Sequence, residues 1–290
     1  MKLIKYTNIE GGSISLSAKP PFFLTKIAGF GPVQNEIKST QLYGLDGAVV
    51  SDKKLVIRDL EVEGEILANS SVDLAEYRRE IAVVLNPKIS GTLLYEEDGK
   101  MFSIDVEIEH GPDFDMDKSN ITQKFKLLLK ALDPYWTDKS EIDAEIPMAR
   151  IEPLFSFPLN ITNTFEFAQL IAGDVIEIQN NGHVSVGAVF TINVNGPLVN
   201  PRLYNVITQD YFALKGTFMT GTKLRISTVR GKKKVEQDDG DGWYNIMTKR
   251  KVESKFLQID RGINYLQLQA DSGVKFTTSY IKFDPKLLGV

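Results

Sequence analysis

Four carboxylates fall on alternate positions of one short segment, DLEVEGEI (59–66). Asp59, Glu61, Glu63 and Glu65 are spaced by two, with Leu60, Val62 and Ile66 between them. A strand has a side-chain period of two, so the segment predicts one carboxylate face and one aliphatic face. Like charges about 7 Å apart repel by only ~0.6 kcal/mol in water, and salt lowers that further. A metal site needs ligands converging to about 2.0–2.6 Å from one ion. Same-face side chains of one strand point in parallel and do not converge. That excludes metal binding and paired acid–base chemistry here. It leaves a wet face, a subunit interface or a surface that keeps other anions away.

The remaining chemistry-bearing candidates are weaker. In EQDDGDGWYN (236–245), Asp239, Asp241 and Asn245 match positions one, three and seven of a calcium loop. Trp243 then occupies a ligand position and Arg250 replaces the closing glutamate, so the segment reads as a turn. His110 in EIEHGPD and His183 in NNGHVSV sit at turns, with no triad arrangement around them and no G-x-S-x-G motif. GFGPV (29–33) lacks the later glycine and lysine of a phosphate loop and reads as a flexible turn. Trp243 with Tyr244, or Tyr211 with Phe212, could stack on a sugar, although aromatics in strand-rich segments more often fill a core. Cysteine is absent, which excludes disulfides, thiolate zinc sites and a cysteine nucleophile. The residues predict no catalytic, cofactor-binding or metal-ligating site, and no cofactor.

The elements that must position these residues are mostly strands. NSSVDLAEYRREIAVVLNPK (69–88) is the exception: Leu74, Tyr77, Ile81, Val84 and Leu85 form one helical stripe. Ser70 with Asp73 is a capping arrangement, and Asn86-Pro87 ends the helix. KLVIRDLEVEGEI precedes it as strand, TLLYEEDGKMFSIDVEIEH follows as a hairpin turning at EEDGK, and QKFKLLLKAL reads as a further strand. From residue 175 onward, short β-branched and aromatic runs alternate with Gly, Asn, Asp and Pro, the pattern of a β-sandwich. DPYWTDKSEID marks a boundary between domains 1–140 and 141–290, with 141–158 as linker. Pro134, Tyr135 and Trp136 are the residues placed at the joint.

The 290 residues carry a net charge of −4, divided as −7 over 1–144 and +3 over 145–290. An acidic first half is poorly suited to gripping nucleic acid, and RGKKK (230–234) is too short for a binding stripe. The N-terminus lacks a signal-peptide core, and no run approaches the ~20 apolar residues of a membrane span. The expectation is a soluble chain made in a cytoplasm.

Several segments together resemble the distal tail protein family of siphovirus-type phages and prophages. In the first half they are RDLEVEGEI leading into SSVDLAEYRREIAVVLNPK, then GTLLYEEDGK and ALDPYW. In the second they are NNGHVSVGAVFTINVNGPLVNPRLYN, TGTKLRISTVRGKKKV, FLQIDRGINYLQLQA and FDPKLLGV. The resemblance implies a mainly β fold: an N-terminal β-rich domain with one α-helix and a long hairpin, then a C-terminal galectin-like β-sandwich. It implies a hexameric ring that joins the tail tube protein to the tail-associated lysin or hub protein. Receptor-binding or other baseplate proteins would face the outer domain. It also implies a place at the phage tail tip in the virion, no membrane, and an axial channel through which DNA passes without being bound. Asp59, Glu61, Glu63 and Glu65 are then candidates for a channel-facing surface. Two other functions compete: a lectin-like module for host adsorption, and a glycan-degrading enzyme, which no carboxylate pair supports.

Overall fold

Alternation of buried and exposed positions runs along most strands of the chain. The computed structural model describes residues 2–44, 46–115, 119–139, 145–153 and 168–290, apart from the side chains of 150–153 and 168–171. Two compact units are present: 1–142 with 286–290, and 143–285.

The first unit contains β1 (Leu3–Asn8), β2 (Ser13–Leu16), β3 (Phe22–Ala28), β4 (Asn35–Thr40), β5 (Val49–Leu55) and β6 (Arg58–Leu67). Helix α1 (Ser71–Val84), β7 (Gly91–Glu97), β8 (Lys100–Phe114), β9 (Thr122–Ala131) and β10 (Trp136–Asp138) follow. Antiparallel pairing gives the order β2-β1-β7-β8-β9-β6-β3. The two ends of that order meet at a Ser17–Phe23 bridge, where the Leu24 amide donates to the Ser17 carbonyl at 2.9 Å. The sheet thereby closes around a core that includes Ile4, Tyr6, Leu60, Val62, Ile66, Leu93, Ile104, Leu127 and Trp136. Closure removes the free edges that a seven-strand run would otherwise expose.

Local signals account for these elements. Ser70 caps α1 by accepting from the Asp73 amide at 3.1 Å. Leu74, Ile81 and Val84 face the core, and Tyr77 meets Phe22 edge-on with ring centroids 5.6 Å apart. The β7–β8 turn places Asp98 and Gly99 at φ 51° and 82°, the conformation that Asp-Gly hairpins favour. All of QKFKLLLKAL but its last leucine lies within β9, which pairs with β6 over its whole length.

The second unit holds a six-stranded sheet, ordered Ile146–Pro147, Thr277–Lys282, Val189–Val194, Lys223–Ser227, Lys234–Asp238 and Tyr244–Asn245. A four-stranded sheet runs Val175–Asn180, Gly262–Gln269, Arg202–Asn205 and Tyr211–Ala213. Inward residues of both, among them Phe190, Ile192, Leu224, Leu203, Leu266 and Leu268, share one core, which makes a β-sandwich. Buried asparagines close its loops: Asn180 donates to the Val184 and Ile259 carbonyls and accepts from the Gly182 amide. Of the expected linker 141–158, residues 146–147 and 149–153 are short strands, while 141–144 and 154–158 lie outside the described residues.

Candidate functional site

The carboxylate strand is β6, and its alternation is as the sequence predicts. Leu60, Val62 and Ile66 are buried, and Asp59, Glu61, Glu63 and Glu65 lie on the opposite, partly exposed face. The neighbouring strands add what one strand cannot show. Register sets Asp59 opposite Lys130, Glu63 between Lys126 and Lys26, and Glu65 opposite Lys124. Lys26 Nζ lies 3.0 Å from both Glu61 and Glu63, and Lys126 Nζ lies 3.1 Å from Glu61. Hydrogen bonds from Lys26 and then Lys126 pull the Glu61 carboxyl down to about 2. The same contacts, with Glu63 first, raise the Lys26 ammonium. Each half-exposed pair contributes little stability alone, but together they cancel the repulsion within the carboxylate row. Four carboxylates and four lysines (26, 124, 126 and 130) thus share this face. The alternate lysines of TQKFKLLLK were the available signal, and only the pairing of β9 with β6 brings them there.

The hairpin β4–β5 forms a two-stranded sheet of its own. Every β4 residue is exposed, as is every β5 residue except the half-buried Leu55. Ile37 and Val49 are each 56% exposed, and Tyr43 in the connecting loop is fully exposed. A two-stranded ribbon without a supporting layer is marginally stable by itself. The clearest signal for it in the sequence is the glycine-rich turn of TQLYGLDGAVV between two β-branched runs.

The root of this hairpin is built around Arg58, whose role no local pattern in the sequence signals. Arg58, the first residue of β6, is only 4% exposed. Its Nη1 donates to the Gly29 and Gly31 carbonyls, both at 2.6 Å, and its Nε donates to the Pro134 carbonyl at 2.8 Å. Nη2 donates to the Leu288 carbonyl at 2.6 Å. Burial lowers its pKa from the usual arginine value. The fan of carbonyls suits the fixed fork of a guanidinium, which has donors only. GFGPV is therefore not a loose turn. Phe30 is buried, Gly29 has φ 83°, and a Cβ there would run into the Asp59 carbonyl.

The remaining candidates fall in separate places. Trp136 is fully buried in the first unit's core, 5.1 Å from the Phe30 ring, with Pro134 and Tyr135 half-buried beside it. His110 lies exposed at an irregularity of β8, and His183 is exposed at a turn. Asp239 accepts from Tyr244, Gln237 and Thr222, and Asp238 accepts from the Gly240 and Gly242 amides. That is a hydrogen-bonded turn, and no group of three metal-ligating residues occurs among the described residues. Trp243 and Tyr244, expected in a core, are instead 40% and 47% exposed, because Tyr244 begins the two-residue strand at the sheet edge and Trp243 immediately precedes it. Trp243 carries the Arg225 guanidinium 3.7 Å over its ring, whereas Phe212 is buried as expected. No described helix is long and apolar enough to cross a membrane.

The described residues form a closed β-unit that bears a two-stranded hairpin, with a β-sandwich inserted before its last strand. Residues 9–131 match the model of the phage tail protein RIFT-related domain, and residues 181–282 match that of the siphovirus-type tail component C-terminal domain. The chain belongs to the distal tail protein family of siphovirus-type phages, structural hub components of the tail and baseplate. The crystal structure of phage SPP1 Dit, described as a paradigm of the hub adsorption apparatus in phages infecting Gram-positive hosts, is similar in fold. It has a TM-score of 0.71 and 13% identity, over 98% of each chain. A chain of the phage P2 baseplate in its activated conformation with Ca matches at TM-score 0.55 and 13% identity, over 97% of this chain and 98% of that one. The same baseplate with Sr gives 0.52 and 13%, over 98% of each. No curated protein matches the sequence.

Proposed function

We propose that the chain is the repeating subunit of a ring, six copies in the closed form, at the distal end of a phage tail. The ring joins the tail tube protein to the tail-associated lysin or hub protein and leaves an axial channel for DNA. Receptor-binding proteins attach through the second unit, and the subunits are made in the host cytoplasm before entering the virion. The observation that carries this reading is the β4–β5 hairpin, whose exposed Ile37, Tyr43, Val49 and Val50 lack a supporting layer. Such a ribbon gains its missing layer when it lies on a neighbouring copy. A one-sided contact of this kind repeats around a rotation axis into a ring. The charged face of β6 supports passage without binding, since its lysines are interleaved with carboxylates and form no basic stripe.

Electron microscopy and light scattering of the purified protein test the assignment. Wild type is expected to form rings with a central hole, and Ile37→Asp with Tyr43→Asp is expected to yield a folded monomer. Rings that persist in the double variant would remove the hairpin from the interface. A second reading, saccharide binding by the sandwich, is favoured by the exposed Trp243 held against Arg225. A protein that stays monomeric and whose Trp243 fluorescence responds to a glycan titration would establish that reading in place of the ring.

A further inference from the structure

The last five residues of the chain belong to the first unit, on the far side of the inserted sandwich in sequence. Leu287 pairs with Trp136 and Lys286 with Thr137. From there the backbone runs to the place where the hairpin is rooted. The Leu288 carbonyl takes a bond from Arg58 Nη2, and the Val290 amide donates to the Phe30 carbonyl at 3.0 Å. Gly289 lies backbone to backbone with Gly31: a Cβ on it would stand 2.6 Å from the Gly31 carbonyl carbon and 2.8 Å from the Pro32 nitrogen.

These partners flank the hairpin directly. Gly29 to Pro32 form the chain's way into it, and Arg58 lies just beyond β5 on the way out. The Val56 amide ties the two together by donating to the Gln34 carbonyl at 3.2 Å. One guanidinium therefore holds the incoming root, the segment before β10 and the end of the chain. Undocking the tail removes one of its acceptors, breaks the bond to the Phe30 carbonyl and takes Leu287 and Val290 off the first unit's core.

We propose that residues 287–290 are an assembly element: they lock the root of the 35–55 hairpin and so set the direction in which it is presented to the next subunit. This rests on the hairpin's role in ring contact. An arm fixed at its root loses less conformational freedom on association than one that swings, so tail docking strengthens assembly without touching the partner.

Hydrogen exchange read by mass spectrometry, together with light scattering, tests this on the full-length protein. Gly289→Val forces the tail off Gly31, and deletion of Val290 alone removes its bond to Phe30 and its packing on the core, giving a milder variant that keeps the strand pair. Both are expected to speed exchange at 29–34 and 56–58, leave the sandwich protected, and raise the concentration needed for rings roughly tenfold for the stronger variant. Unchanged exchange at the root overturns tail docking as the lock. Faster exchange with unchanged ring formation overturns the assembly role. If wild type forms no rings, the assembly role falls with the ring reading itself. If wild type forms rings and Gly289→Val assembles equally well, only the present inference falls.

Discussion

Glu61 sits between two ammonium groups, and its behaviour with pH follows from that. Its folded-state pKa is lowered from 4.5 to about 2, first by Lys26 and then by Lys126. A carboxyl whose pKa is depressed on folding contributes stability that is present above its ordinary value and lost as pH falls through the folded value. Glu61 is therefore expected to keep supporting the fold from neutral pH to below 4, with its contribution disappearing toward pH 2. NMR titration of its carboxyl carbon reads this directly. Replacing both Lys26 and Lys126 with Met should return the midpoint toward the ordinary glutamate value, and an unmoved midpoint would show the pairs do not persist in solution. Reading Asp59, Glu61, Glu63 and Glu65 as one face needed only the alternation of DLEVEGEI. Charge balance on that face depends on lysines 35 to 71 positions away, which no local pattern links to it.

At the level of elements, the helix was legible from its cap and stripe, and it yields a clean test. Ser70→Ala removes the acceptor for the Asp73 amide and is expected to lower stability by about 1 kcal/mol, while Ser70→Asp restores most of it. Urea unfolding followed by circular dichroism measures both. Gly64, on the aliphatic side of β6, offers a second test. A Cβ there would stand 2.6 Å from the Phe125 ring and 2.8 Å from Leu16, so Gly64→Ala is expected to cost roughly 1–3 kcal/mol by overpacking. The resemblance implies a long hairpin, but residue patterns did not locate β4–β5, because it has no buried face. Without a partner layer its residues show no strict alternation of apolar and polar types, which is the signal that reveals a half-buried strand. The edge position of Tyr244, with Trp243 just before it, was missed for a related reason. Aromatic character indicates burial on average, but a two-residue strand at the end of a sheet has neighbours on one side only.

For the whole molecule, the consequential feature is the order of the chain. The sandwich is inserted between β10 and the strand Lys286–Leu287, and those two strands are paired. Replacing residues 143–285 with a short Gly-Ser linker is therefore expected to leave a first unit that unfolds cooperatively, because β10 and Lys286–Leu287 on either side of the insertion are already paired. A thermal melt followed by circular dichroism checks this, and a molten, non-cooperative product would show that the first unit depends on the sandwich. Sequence periodicity by itself determined the strand-rich class, the helix, the Asp-Gly hairpin and the inward face of β6. Each of these rests on side chains within about one turn or one strand of each other. Only the tertiary structure decided that lysines neutralise the carboxylate face, that Arg58 ties four distant carbonyls, and that residues 286–290 return to the first unit. Those contacts join residues up to 230 positions apart. Closing such distances depends on the packing of the whole core, and the packing leaves no periodic trace in the residues it brings together.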